Sequence, residues 1–185
     1  MGVRNCREIG ENLQKIVTRL MANDKLVNLI YYSDKDPLSQ PYLTDEQKKQ
    51  EIFEKLIKII PRIGPKEDAK SLISISVVRG SKLSNNNEFR NVLIKIETFV
   101  PMTQWIIKNS NLRPFAILGE IQDCLDGKTV NGLGKLEGGD FNISFLTEEI
   151  CSYEQFFNII TQCFCFFHNP PLEVGNKKIP YASIT

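Results

Sequence analysis

The sequence predicts an α+β fold: an antiparallel sheet of about four strands packed against helices, with an N-terminal helical region and an extended C-terminal tail. Three observations lead there. Apolar residues recur every three or four positions near the start of the chain and again around Ile117 to Leu125; between and after these stretches they recur at every second position; and from His168 onward, through Pro170, Pro171, Gly175 and Pro180, no period survives. The organisation that follows is residues 1–64 as a helical region packed on the core, 65–167 as the α+β core, and 168–185 as an extended or flexible tail.

From Asn5 to Met21 the residues Ile9, Leu13, Ile16, Val17, Leu20 and Met21 form one stripe along a helix. Asn23-Asp24 can cap a second, short helix through Leu26, Leu29 and Ile30, after which Asp36-Pro37 and Gln40-Pro41 force a polar loop. Thr44-x-x-Gln47 is a capping-box pattern that opens a third helix, expected to reach about Lys55. Ile73/Ile75/Val77 alternate with Ser74/Ser76, and Val92/Ile94/Ile96 with Lys95/Glu97, which is the period of half-buried strands. Gly80 to Asn87 between them is polar and reads as a mobile hairpin tip carrying Asn85 and Asn86. Pro114 suits the start of a helix whose apolar face is Ile117, Leu118, Ile121, Cys124 and Leu125, closed by Gly127. Phe141-Asn142-Ile143-Ser144-Phe145 alternates again, and Tyr153 to Phe167 reads as a long final strand with apolar residues on both sides of the pleat.

Composition narrows the function. The chain has 185 residues, 23 Lys+Arg against 22 Asp+Glu, 42% hydrophobic residues, five Cys, one His and one Trp. That length fits one domain able to bury a core without disulfides or metal. A formal charge of +1 argues against a protein whose main task is to neutralise many phosphates. With one imidazole, His-rich metal sites and paired-His chemistry are not available. The charged amino terminus and the lack of an apolar run of membrane-spanning length point to a soluble protein without a secretory signal. An odd, scattered cysteine set fits reduced thiols.

Candidate chemistry is thin. Gly132-x-Gly134 follows a helix and precedes a strand, the reverse of a phosphate-binding loop, so an ordinary turn is expected. Cys163-x-Cys165-x-x-His168 offers zinc donors, or a Cys/His nucleophilic pair, but the spacing is tighter than structural zinc sites prefer and the surroundings are Phe-rich. Glu148-Glu149 and Asp123/Asp126 read as solvated carboxylates, and Lys48, Lys49, Lys55, Lys58 and Arg62, interleaved with Glu46, Glu51 and Glu54, as a solvated mixed-charge face. No enzyme, cofactor or metal is expected. Trp105, beside Arg113, is either a core anchor or an interface anchor, and the doubly apolar last strand nominates Phe157 and Ile159 for an interface.

Leu26-x-x-Leu29-Ile30-x-Tyr32 with Asp36-Pro37-Leu38, Ile94-x-Ile96 ending at Pro101, Trp105-Ile106, Leu112-Arg113-Pro114-x-x-Ile117, Gly132-x-Gly134 and the closing aromatic strand together resemble structural proteins of tailed bacteriophages. More narrowly, they resemble tail-terminator or head-to-tail joining ring proteins, including those of crAss-like short-tailed phages. The resemblance implies a homo-oligomeric ring of roughly six or twelve subunits in the virion neck or tail, made in the bacterial cytoplasm. It implies portal or adjacent neck and tail ring proteins as partners, DNA passing through the lumen without sequence-specific binding, and no membrane. Trp105, Arg113, Phe157, Ile159, Asn85 and Asn86 would meet the neighbours. The alternatives are a tail-completion protein touching the tail tube, or a small metal- or ligand-binding module around Cys163, Cys165 and His168.

Overall fold

The computed structural model describes residues 6–59, 70–83, 86–145 and 150–160. Helices α1 (Cys6–Met21), α2 (Asp24–Tyr31) and α3 (Asp45–Glu51) come first; α4 (Arg113–Leu125) lies between the two halves of the sheet in sequence. The strands are β1 (Ile57–Lys58), β2 (Leu72–Leu83), β3 (Asn86–Pro101), β4 (Ile106–Ile107), β5 (Asn111–Leu112), β6 (Thr129–Val130), β7 (Gly134–Phe145) and β8 (Ile150–Ile160). Six of them form one sheet in the order β1-β2-β3-β8-β7-β6, and β4-β5 form a separate small ladder. The architecture is α+β, with four long strands each antiparallel to its neighbours and two-residue strands at each edge.

Local chemistry accounts for the helix starts. Asn23 accepts a hydrogen bond from Leu26 N, and Thr44 with Gln47 completes the capping box that opens α3. Each cap satisfies amides that the first helical turn leaves without partners. Gly127, at φ 68°, follows the end of α4 in the left-handed conformation that glycine adopts without a Cβ clash. Gly132, at φ 91°, sits where a Cβ would fall 2.9 Å from Asn12 Cγ, so the turn and α1 approach through glycine.

One core joins the N-terminal helices to the sheet: Leu13, Ile16, Val17 and Leu20 of α1, Leu26, Val27, Leu29 and Ile30 of α2, Ile117, Ile121 and Leu125 of α4, and Ile73, Ile75, Val92, Ile94, Ile96, Phe157 and Ile159 of the strands. Burying each of these large apolar side chains is worth about 1.5–3 kcal/mol. Helix α4 is the hub, touching α1, α2, β3, β7 and β8.

Three expectations are corrected. The third helix stops at Glu51, because Glu54 turns at φ 60° and lets Ile52 and Ile57 both enter the core while Ile57 pairs with Ile73 in parallel. The hairpin is longer than its polarity suggests: Gly80, Ser81, Lys82 and Leu83 continue β2, and Asn86 pairs with Leu83, since ladder pairing uses the backbone and tolerates polar side chains. Finally, β8 is not doubly apolar where it is described. Cys151, Tyr153, Gln155, Phe157 and Ile159 face the helices, whereas Ser152, Glu154, Phe156 and Asn158 occupy the other side. Residues 161–185, including Phe164, Phe166, Phe167 and the expected tail, lie outside the described residues.

The helix-free face of the sheet carries its own polar cluster. Lys95 Nζ lies 3.0 Å from Glu97 Oε2 and 2.8 Å from Glu154 Oε1, linking adjacent strands. Burial alone would lower the Lys95 pKa, but the two carboxylates outweigh it and hold the ammonium above its ordinary value.

Candidate functional site

A row of aromatic rings crosses the end of the molecule where α4 begins. Trp105 lies 6.2 Å from Tyr153, Tyr153 5.4 Å from Phe115, and Phe115 6.4 Å from Phe141, measured between ring centres, and the two contacts of Phe115 are edge-on. These four side chains come from the β3–β4 connection, from β8, from the first turn of α4, and from β7. The row runs outward from the core. Tyr153 is 2% exposed, Phe115 46% and Phe141 55%, with Ile143 beyond at 47%.

A β-bulge places the outer rings. Up to Gly138 the even-numbered residues of β7 face the helices; the register then shifts, so that Phe141 stands opposite Gln155 and Ile143 opposite Tyr153. One inserted residue exchanges the two faces of a strand. Asp126 anchors the strand just before that point, accepting from Gly138 N at 2.6 Å. Gly138 itself is packed against Phe157, whose Cε1 would lie 3.0 Å from an added Cβ.

Beside the rings lies a groove of about 620 Å³, lined by Phe115, Leu118 and Gln122 of α4, by Asp140, Phe141 and Asn142 of β7, and by Gln155. Gln155 is 6% exposed. Its amide nitrogen donates to Leu118 O at 3.2 Å, which fixes the orientation of the side chain and leaves Oε1 buried with no hydrogen-bond partner among the described residues. Trp105 Nε1 is in the same condition. Buried polar atoms are rarely left so; Asn28 Oδ1 and Thr98 Oγ1 in the interior share the condition. The groove therefore combines two exposed aromatic rings with a mostly polar lining. Among the described residues, no three His, Cys, Asp or Glu gather where they could hold a metal ion, and no helix is long and apolar enough to cross a membrane.

Of the residues nominated from sequence, Trp105 belongs to this row, half-buried and packed against both clusters of core residues. Arg113 does not face a neighbour. It is fully buried, and its guanidinium donates to Gln104 O at 2.8 Å, Leu29 O at 2.7 Å, Tyr32 O and Asp34 O. It thus closes the carboxyl end of α2 and pins the following loop to α4, as a cation at a helix C-terminus does. Burial lowers its pKa, opposed by the nearby Asp34. Phe157 and Ile159, each 1% exposed, are core side chains opposite Ile94 and Val92, so their apolar surface is covered within the chain and is not presented to a partner. Asn85 lies outside the described residues, and Asn86 opens β3 with its side chain outside them. Cys163, Cys165, His168, Glu148, Glu149 and Arg62 also lie outside them. Lys48, read as part of a solvated face, is buried and paired with Asp24, tying α3 to α2.

Sequence reasoning missed Gln155 and Phe115. The signal for Gln155 was present: one amide inside the alternation Cys151, Tyr153, Phe157, Ile159. Phe115 gives no comparable signal, because its exposure depends on where the start of α4 lies against β7.

The fold defines a small α+β protein with exposed aromatic rings beside a groove at one end of its sheet. Residues 23–159 match the YomW family model. The chain belongs to the YomW family, which is phage-derived and of Bacillus-phage type. No curated protein matches the chain.

Proposed function

We propose that this phage-family protein is a non-enzymatic virion component that assembles into a homo-oligomeric ring in the neck or tail, around the path of the DNA. The observation that carries this reading is the exposed run Phe115, Phe141 and Ile143 beside the unmet Gln155 acceptor. A chain that acts alone gains nothing from leaving two aromatic rings and a β-branched side chain together in water, whereas a repeated subunit covers them in an interface. In a ring the two surfaces of each contact differ, so the groove of one subunit receives a different part of the next. The near-neutral charge suits a conduit, since a strongly basic wall would retain DNA through counterion release.

Sedimentation velocity with negative-stain imaging of the purified chain is expected to give closed rings, alone or after mixing with portal or neck proteins of the same phage. A monomer under both conditions overturns the ring. Co-purification with the tail tube protein in place of the portal would move the ring to the tail-completion position.

A further inference from the structure

Among the described residues, the two edges of the main sheet are only partly covered. β1 covers only Ile73 and Ser74 of β2. On β7, β6 covers Gly134 and Lys135, Leu136 accepts from Gly127 N and donates to Lys128 O, and Gly138 N is held by Asp126. Among the described residues, the outer edge of β2 from Ile75 to Leu83 and that of β7 over 139–145 have no ladder partner. They amount to roughly 30 Å and 23 Å of strand at about 3.3 Å per residue. Monomeric proteins guard such edges with proline or a covering element. Neither stretch contains proline, and both expose apolar side chains: Val77 at 37% and Val78 at 51%, Phe141 at 55% and Ile143 at 47%. Among the described residues, a bulge in each strand and a few charged side chains are the guards present, and they still leave regular stretches such as Arg79–Lys82 and Phe141–Phe145.

We propose that the free edge of β2 in one copy pairs antiparallel with the free edge of β7 in the next, so that the sheet continues from subunit to subunit. The inference rests on the homo-oligomeric reading above and names its contact. Strand direction supports it. Because β2, β3, β8 and β7 alternate in direction, β2 and β7 run oppositely, and a rotated copy brings its β2 beside β7 in the antiparallel sense with all helices kept on one face. Charge supports it independently. The only charged residues from Ile75 to Leu83 are Arg79 and Lys82, whereas β7 from Leu136 to Phe145 carries Asp140 and Glu137, the latter 3.0 Å from Lys135 Nζ within the same strand. A β2–β7 contact joins opposite signs. A two-fold contact, β2 with β2 or β7 with β7, would oppose like charges, which destabilises paired strands.

Charge reversal tests the pairing. The variants Arg79→Glu/Lys82→Glu and Glu137→Lys/Asp140→Lys should each stay folded by circular dichroism and lose assembly at least tenfold by sedimentation velocity. The chain carrying all four changes should regain it, because β2 and β7 again bear opposite signs. A two-fold contact would not be rescued in that chain. Full assembly of either double variant, or a folded quadruple variant that stays dissociated, overturns the edge pairing while leaving a ring built through another surface. A wild-type chain that does not self-associate overturns the edge pairing, and the ring then stands or falls on mixing with its neck partners.

Discussion

Arg113 and Gln155 are both polar side chains buried beneath α4 or at its start, and the chain treats them oppositely. Arg113 directs its guanidinium at four backbone carbonyls from two separate segments, and four of its five N–H groups are accounted for. Gln155 satisfies its nitrogen on Leu118 O and leaves its oxygen without a partner, next to rings that are half in water. Where the chain completes its own hydrogen bonds, the polar group holds the fold; an unmet atom beside exposed apolar surface is where the proposed contact can be tested.

The largest test of this contrast is Arg113→Met, which keeps most of the volume and abandons the carbonyls of Leu29, Tyr32, Asp34 and Gln104. It should cost about 3–4 kcal/mol in urea denaturation. A loss below about 1 kcal/mol would mean that those carbonyls do not depend on the guanidinium.

The Lys95 cluster is a second closed polar set, and its effect is intermediate. Since the folded state holds the Lys95 proton more tightly than the unfolded chain does, the contribution is complete below the ordinary lysine value of 10.5 and is lost as pH rises through the raised folded value. Wild type should therefore lose about 1 kcal/mol more than Lys95→Met between pH 9 and the strongly alkaline range, because these partly exposed groups are screened by solvent. Parallel alkaline stability curves for the two would place Lys95 outside the set of groups that hold the fold.

The smallest change in stability is expected from Gln155→Met, which removes the bond to Leu118 O and the unmet oxygen together. Stability should shift by less than about 1 kcal/mol, while assembly weakens several-fold in sedimentation. A loss above 2 kcal/mol with assembly intact would put Gln155 in the same class as Arg113.

Much of the fold was legible before any coordinates. The stripe from Ile9 to Met21, the Asn23 cap, the Thr44/Gln47 box and the alternations around Ile75 and Ile94 depend on neighbours within a few residues, and they appear as α1, the starts of α2 and α3, and strands β2 and β3. The two-residue strands β1 and β6 were not legible, because their existence depends on Ile73 and Lys135 arriving beside them. The site was read only in part. Trp105 was found as the single Trp near a helix start, but Arg113, Phe157 and Ile159 were assigned outward although each is buried within the chain.

By itself the sequence determined the α+β class, the order of the elements, the charge balance and the caps, because periodicity and capping act over one or two turns of backbone. Tertiary structure decided which polar groups are finished and which are not. Whether an arginine meets the carbonyls of Leu29, Tyr32 and Asp34 or a glutamine keeps an idle oxygen depends on segments separated by 37 to 84 positions in the chain. Among the described residues it also left most of β2 and the last part of β7 without an outer neighbour, since an edge is defined by the strand that does not arrive.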